Sequence, residues 1–378
     1  MVIHSIVWGA AVHRDQLRHS LVECENVEVL SHRAEALRLI NEELSLVCQG
    51  KIPSEALLFS ILSTTMDFRH ISQPTNEDQP RVHPFRLAHM PKGWDFLDMQ
   101  VNYAHVSGLF MLVDRLGGLT ALRSHPVAKI VAILDSLMAT LELRAPLQPW
   151  VEVDEIASLA ADLSLNVLNP QPESAELLTP GSSLPTLKRL VGSSRLGLVF
   201  YRLQRCFAVQ SALMRGELQN MNLRALGGEI ASLHHAILSM PPCHDYIGNN
   251  MLYEPVRLVS LVFDVGILVP MSPILGLIGR LVRWIKASLE CIDLENVYDE
   301  RVELLVWILF VGGVAAKGMM SERTWFVVRI CGLLQRQGMK SWPEIRQLLR
   351  SFVWVSDAMD EEAIDLWNNI HDHESLEV

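Results

Sequence analysis

Apolar residues recur along most of this chain three and four positions apart, the spacing that lines one face of an α-helix. No stretch alternates over several consecutive candidate strands. This pattern restricts the fold more than any other feature, because a 3.6-residue period cannot present one apolar face as a strand. Residues 31–49 show it plainly: Leu37, Ile40, Leu44 and Val47 share a face, and Arg33, Glu35, Arg38, Glu42 and Glu43 lie largely elsewhere. Gly50 supplies a stop. Pro53-Ser54-Glu55 opens a helix to about 66, with the proline in the first turn, where its missing N–H is not needed. The same reading predicts helices over about 96–116 (ending at Gly117-Gly118), 126–143, 153–166, 186–217 and 223–239. Others follow over about 252–269, 274–291, 298–318, 322–337, 341–354 and 360–370. The predicted class is all-α: a large multi-helix bundle of antiparallel helix pairs with no significant sheet.

Two stretches interrupt the pattern. Residues 70–93, rich in Pro, Asn, Asp and Gln, predict a long surface loop. Residues 168–186 (LNPQPESAELLTPGSSLPT) carry four prolines with Ser and Gly and predict a linker or surface loop. The expected organisation is an N-terminal helical half (1–167), this linker, a C-terminal helical half (187–372) and a tail (373–378).

Composition narrows the functions. Hydrophobic residues make up 49% of the chain, enough to bury a large core and to set it apart from disordered sequences. The formal net charge is −11 with no dense Lys/Arg run, only small groups such as Arg280-Arg283-Lys286. A domain that grips DNA by itself shows a basic face, so direct DNA binding is not expected. The six cysteines stand more than twenty residues apart, and no pair has the C-x2-4-C spacing of a structural zinc site. They are expected as free thiols in a reducing compartment. Two apolar stretches, Val265–Gly279 and Leu304–Ala316, are shorter than a bilayer span and predict buried core helices.

A search for chemistry comes back almost empty. His234 and His235 are adjacent, so on a helix they diverge by about 100° and cannot chelate as an i, i+4 pair would. HExxH, Walker A and G-x-S-x-G patterns are absent. Neither a catalytic set, a cofactor nor a metal is expected. Four polar residues in apolar settings, His105, Glu254, Arg257 and Asp264, are the candidates for contacting an effector or orienting a helix. Glu254 and Arg257 have the i, i+3 spacing of a helix-face ion pair.

Four segments, in order, carry a resemblance. They are Ser31–Leu44 (SHRAEALRLINEEL), His105–Leu119 (HVSGLFMLVDRLGGL), Glu303–Ala316 (ELLVWILFVGGVAA) with Glu322-Arg323-Thr324-Trp325-Phe326, and Phe352-Val353-Trp354 with Leu366-Trp367. At these distances they resemble the fungal-specific transcription factor domain, the helical regulatory region that follows zinc-cluster DNA-binding modules. The likeness spans about residues 5–370 and implies one continuous helical regulatory domain. The family's C-x2-C-x6-C-type ligation and basic linker are missing.

The resemblance implies a non-enzymatic, transcription-regulator-like protein, nuclear or shared between nucleus and cytoplasm. It would act through protein contacts, with a small effector and control of a metabolic or secondary-metabolite gene cluster as the finer expectation. Expected partners are a full-length zinc-cluster factor or a second copy; no membrane is expected. The alternative is an enzyme or scaffold of secondary metabolism built around a hydrophobic helical cavity.

Overall fold

The structure, a computed structural model, describes residues 1–17, 27–67, 83–85, 100–101, 103–151, 189, 191–216, 223–245, 250–271, 273–292 and 300–376. It is all-α. Among the described residues there are thirteen α-helices and one ladder of two residues a side, Met66–Asp67 antiparallel to Gln100–Val101. The proposed linker at 168–186 and the helix expected over 153–166 lie outside the described residues. No described helix is long and apolar enough to cross a membrane.

The chain forms two compact units. The first comprises the described residues of Met1–Pro74, Leu97–Leu137 and Leu147–Val153. It contains α1 (Val2–Leu17), α2 (Val27–Cys48), α3 (Glu55–Thr65), α4 (Tyr103–Arg115) and most of α5 (His125–Glu142). α1 packs on α2 and α3, and α3 packs on α4. Trp8 is buried from α1, with the Arg33 guanidinium of α2 over its ring at 5.3 Å.

Local chemistry sets the helix ends here. Pro53 stands just outside α3 rather than in its first turn. The cap is Ser54, whose hydroxyl accepts from the Leu57 N–H at 3.1 Å and so satisfies a donor that the helix leaves open. Gly117 and Gly118 end α4 with φ of +96° and +89°, a region that a side chain disfavours. The Gly118 N–H reaches back to the Val113 carbonyl at 3.0 Å.

The second unit comprises the described residues of Thr75–Phe96, Met138–Pro146 and Asp154–Val378. It holds α6 (Ser194–Met214), α7 (Leu223–Leu238), α8 (Tyr253–Phe263) and α9 (Leu277–Glu290). α10 (Glu300–Ala315), α11 (Met320–Gln337), α12 (Trp342–Ser351) and α13 (Ser356–Leu376) complete it. α10 is the central element, packed against α8, α9, α11, α12 and α13. It is apolar all round, as a helix must be to be enclosed on every side, and Leu304 through Ala316 are all buried.

Trp307 of α10 is fully buried among Phe200, Phe263 and Phe352, with ring centroids 5.5, 6.1 and 5.3 Å away. Its Nε1–H donates to the Val353 carbonyl at 2.9 Å, which satisfies the one polar atom of a large apolar side chain. Two helical glycines follow at positions where a methyl group would not fit. A Cβ on Gly312 would stand 2.5 Å from the Phe326 ring of α11, and one on Gly313 would stand 2.6 Å from Leu366 of α13. Gly in a helix interior costs about 1 kcal/mol relative to Ala; here that cost is offset by the close approach of two neighbouring helices.

The last helix runs to Leu376, beyond the expected end near 370. Its extra turn is supported by His371, whose ring meets Trp367 edge-on at 4.5 Å.

Candidate functional site

α8 lies in the core of the second unit. Every residue from Tyr253 to Phe263 is buried except Glu254, which is half-buried. At its N-terminus the Arg257 guanidinium donates to Glu254 through two bonds, Nε to Oε2 at 2.9 Å and Nη2 to Oε1 at 2.6 Å. Glu254 Oε2 also accepts from the Cys243 N–H at 3.0 Å, and the Tyr253 hydroxyl donates to the Pro241 carbonyl at 2.7 Å. Together these bonds fasten the Pro241–Asp245 turn to the start of α8. The paired geometry uses the fork of the guanidinium fully against one carboxylate. The i, i+3 spacing of Glu254 and Arg257 therefore does what it suggests: it orients the helix.

At its other end α8 widens. Asp264–Leu268 form a π-turn, with the Val269 N–H bonded to the Asp264 carbonyl at 2.7 Å and Met271 N–H to Val265 O at 2.9 Å. Pro270 stops the helix just after this turn. It has no N–H, so continuing the α-helix would leave the Gly266 carbonyl without its donor. Single π-turns of this kind are frequent at functional sites. Gly266, within the turn, faces Phe85: a Cβ there would lie 2.5 Å from the Phe85 ring.

Asp264 opens the π-turn with helical backbone angles (φ −62°, ψ −64°) and is buried. Its carboxylate is 0% exposed, and His234 of α7, 3% exposed, donates to it through Nδ1 at 2.8 and 2.9 Å from the two oxygens. The other ring nitrogen, Nε2, lies 2.9 Å from the hydroxyl of Thr140, which is itself 0% exposed, near the end of α5. The result is a chain of hydroxyl, imidazole and carboxylate joining three elements. With Nδ1 committed to the carboxylate, a neutral His234 accepts the Thr140 proton at Nε2. Burial pushes the Asp264 carboxyl above the usual carboxylate range, and the charge and hydrogen bond of His234 work against that rise.

This order of groups is the one that activates a hydroxyl nucleophile in acyl transfer. All three members are enclosed, however, so what it does in this structure is tie the end of α5, α7 and the π-turn together. The described residues place no group of three or more His, Cys, Asp or Glu side chains where it could hold a metal ion.

The structure brings three of the four candidates onto one rod: Glu254 and Arg257 at the entrance of α8, and Asp264 just past its end. His105 belongs to the first unit, half-buried on α4. The sequence pattern does not single out His234 or Thr140 as members of a site. For His234 the available signal was its register: it falls in the buried stripe Ile230–Leu233–Ile237 of α7, where a polar side chain needs a partner. For Thr140 there was little, since threonine in an apolar stripe is common. Cys243-His244 forms an exposed turn, with His244 beside Asp245 at 3.5 Å. Compared with protein-family models, with curated proteins and with solved structures, this chain matches none.

Proposed function

We propose that this protein is a transcription regulator of the fungal zinc-cluster type that acts through protein contacts rather than by gripping DNA itself. The observation that carries this reading is the way the segments of the resemblance use one another. The Gly312-Gly313 pair of the third segment receives Phe326 and Leu366, residues of the third and fourth segments. Trp307 donates to Val353, the middle residue of the fourth. Residues that look like a family signature in sequence are thus mutually dependent in packing, as a domain-defining core should be. Near-continuous burial of α10 supports a scaffold whose interior is for stability, leaving surfaces for partners.

In this reading the protein resides in the nucleus, or moves between nucleus and cytoplasm. It reaches DNA through a full-length zinc-cluster factor or through a second copy, and serves a metabolic or secondary-metabolite gene cluster. The absence of a dense basic run and the net charge of −11 agree with an indirect route to DNA. A small effector would act by favouring one packing of the helices. The test is deletion of the gene in its host, with transcript profiling and fractionation. A nuclear pool and a coherent set of altered transcripts are expected; no nuclear pool and an unchanged profile would end the proposal.

A second reading, an enzyme or scaffold of secondary metabolism, is favoured by one observation: the hydroxyl–imidazole–carboxylate order at Thr140, His234 and Asp264. It requires an opening that brings a substrate to Thr140. Thr140→Val in the host, with the fold checked, would remove a metabolite under this reading and leave all metabolites in place under the first.

A further inference from the structure

In the first unit α1 is held by few side chains. Of residues 1–10 only Ser5 and Trp8 are buried, while Ile3, Ile6 and Val7 are exposed. Two described side-chain ties join this stretch to α2. One is the Arg33 guanidinium over the Trp8 ring. The other is an imidazole pair: His4 Nδ1 stands 2.8 Å from His32 Nδ1, and both rings are half-buried. The ring centroids are 4.9 Å apart, close to that distance plus the two centroid-to-nitrogen radii, so the two nitrogens point at each other.

A contact of this kind holds one proton between the two nitrogens. With none, two lone pairs face each other; with two, N–H opposes N–H and cation opposes cation. The bond therefore survives while both rings are neutral, and while one of them is an imidazolium. It fails when both are. Once α1 is undocked, each ring takes its own proton, as a free imidazole does near pH 6.5. In acid the undocked state binds more protons than the docked one. Docking is therefore favoured as pH rises and disfavoured as it falls, by up to about tenfold per pH unit.

The described side chains around the pair do not absorb a second charge. On α2, Glu35 is near enough to feel the charge of His4, but both its oxygens accept from Arg38, at 2.6 and 2.9 Å. Arg38 also bonds Glu42, and Arg33 over Trp8 adds another cation. The Met1 amine of α1 is close enough to act on Glu35 as well. α3, the other element packed on α1, has one ionisable side chain, Glu55, which accepts from the N–H groups of Arg123 and Ser124. We propose that His4 and His32 form a pH-sensitive clasp, which holds α1 against α2 near neutrality and releases it as the second imidazole is protonated. A helix with so few buried side chains opens at small cost, and its release uncovers the sides of α2 and α3 on which it packs. The clasp is independent of the transcriptional reading.

Hydrogen exchange of the full-length protein, read by mass spectrometry and corrected for the intrinsic rate at each pH, follows α1 directly. Between about pH 7.5 and about pH 5.5 its peptides should lose about fivefold in protection, while peptides of α3 and α4 keep theirs. His32→Gln leaves a bond to His4 in either state, since an amide accepts from an imidazolium and donates to a neutral ring. In that variant α1 should hold its protection at the lower pH. The His4→Gln/His32→Gln double variant should be equally indifferent to pH. Three results would overturn the proposal. One is parent protein whose α1 is equally protected at both pH values. Another is a fall of the same size in the double variant. The third is a fall shared by α3 and α4, the mark of a unit that unfolds as a whole in acid.

Discussion

The His234–Asp264 pair allows the reasoning about the buried relay to be tested in detail. Replacing His234 with Leu leaves an Asp264 carboxylate with 0% exposure and without its hydrogen-bond donor. Removing one partner from a buried pair costs about 3–5 kcal/mol, most of it the penalty of the charge left behind. For a folding unit of more than about 200 residues that is a fall in melting temperature of roughly 6–10 °C. Replacing Asp264 with Leu instead strands a buried imidazole N–H, which costs less, about 1–3 kcal/mol. The double variant removes both partners, so its loss should be smaller than the two single losses together, by about 1–3 kcal/mol. The pH dependence has a definite sign. The folded Asp264 carboxyl already titrates above its usual value because of burial, and without His234 nothing opposes that rise. A group with a raised folded pKa contributes its stability below the unfolded value, about 3.9 for Asp, and loses it as pH climbs through the folded value. The deficit of His234→Leu against the parent should therefore be smallest near pH 4 and widen toward neutrality. Thermal unfolding followed by tryptophan fluorescence, with nine tryptophans in the chain, measures all four proteins. Strictly additive losses, or a deficit that narrows as pH rises, would refute the account.

Three further outcomes are expected. Gly312→Ala should destabilise the second unit by about 1–3 kcal/mol, because its methyl group meets the buried Phe326 ring and outweighs the gain in helix propensity; adding Phe326→Leu should cost less than it does alone, read by chemical denaturation. Trp307→Phe should cost about 1–3 kcal/mol through the carbonyl of Val353 left without its donor, and should alter the near-ultraviolet circular dichroism that the four-ring cluster produces. With a maleimide at pH 8, Cys48, Cys243 and Cys291 should label rapidly. Cys206, buried and with its thiol pushed up to about 12 by burial, should label only on unfolding; Cys331, also buried, should follow it, as peptide mass spectrometry would show.

The helices were legible because their signals are local. Periodicity, Gly117-Gly118 after α4 and the apolar run of α10 all act within a few residues, and most predicted segments in the described regions match a helix to within a few positions at each end. Where ends differ, a contact outside the pattern decides: Ser54 caps α3, which leaves Pro53 outside its first turn, and the His371–Trp367 contact supports α13 past 370. The i, i+3 pair Glu254–Arg257 was legible for the same reason. The relay was not, because its partners are far apart in the chain. Thr140 and His234 are 94 residues apart, and His234 and Asp264 are 30 apart. Asp264 could be singled out as a carboxylate at the edge of an apolar run, but only the fold says which base faces it.

The position of the relay also bears on what it is for. A carboxylate is expensive to bury, and a core position next to Phe263 could have been apolar without loss of stability. What the pair adds is specificity of arrangement. Asp264 keeps helical backbone angles (φ −62°, ψ −64°), so its bond to His234 fixes how the end of α8 faces α7. Pro270 ends the helix just beyond, and Phe85 against Gly266 fills the space that a side chain there would need. The His234–Asp264 pair, Pro270 and the Phe85–Gly266 contact thus meet at the end of α8. A segment held by so many constraints is the place where a change in one of them, protonation of Asp264 or displacement of Phe85, would shift the ends of α5 and α7 together. Phe85→Ala tests this directly: if the π-turn is held only by Pro270, His234→Leu should cost as much in the Phe85→Ala background as in the parent, whereas shared selection requires the two losses to couple.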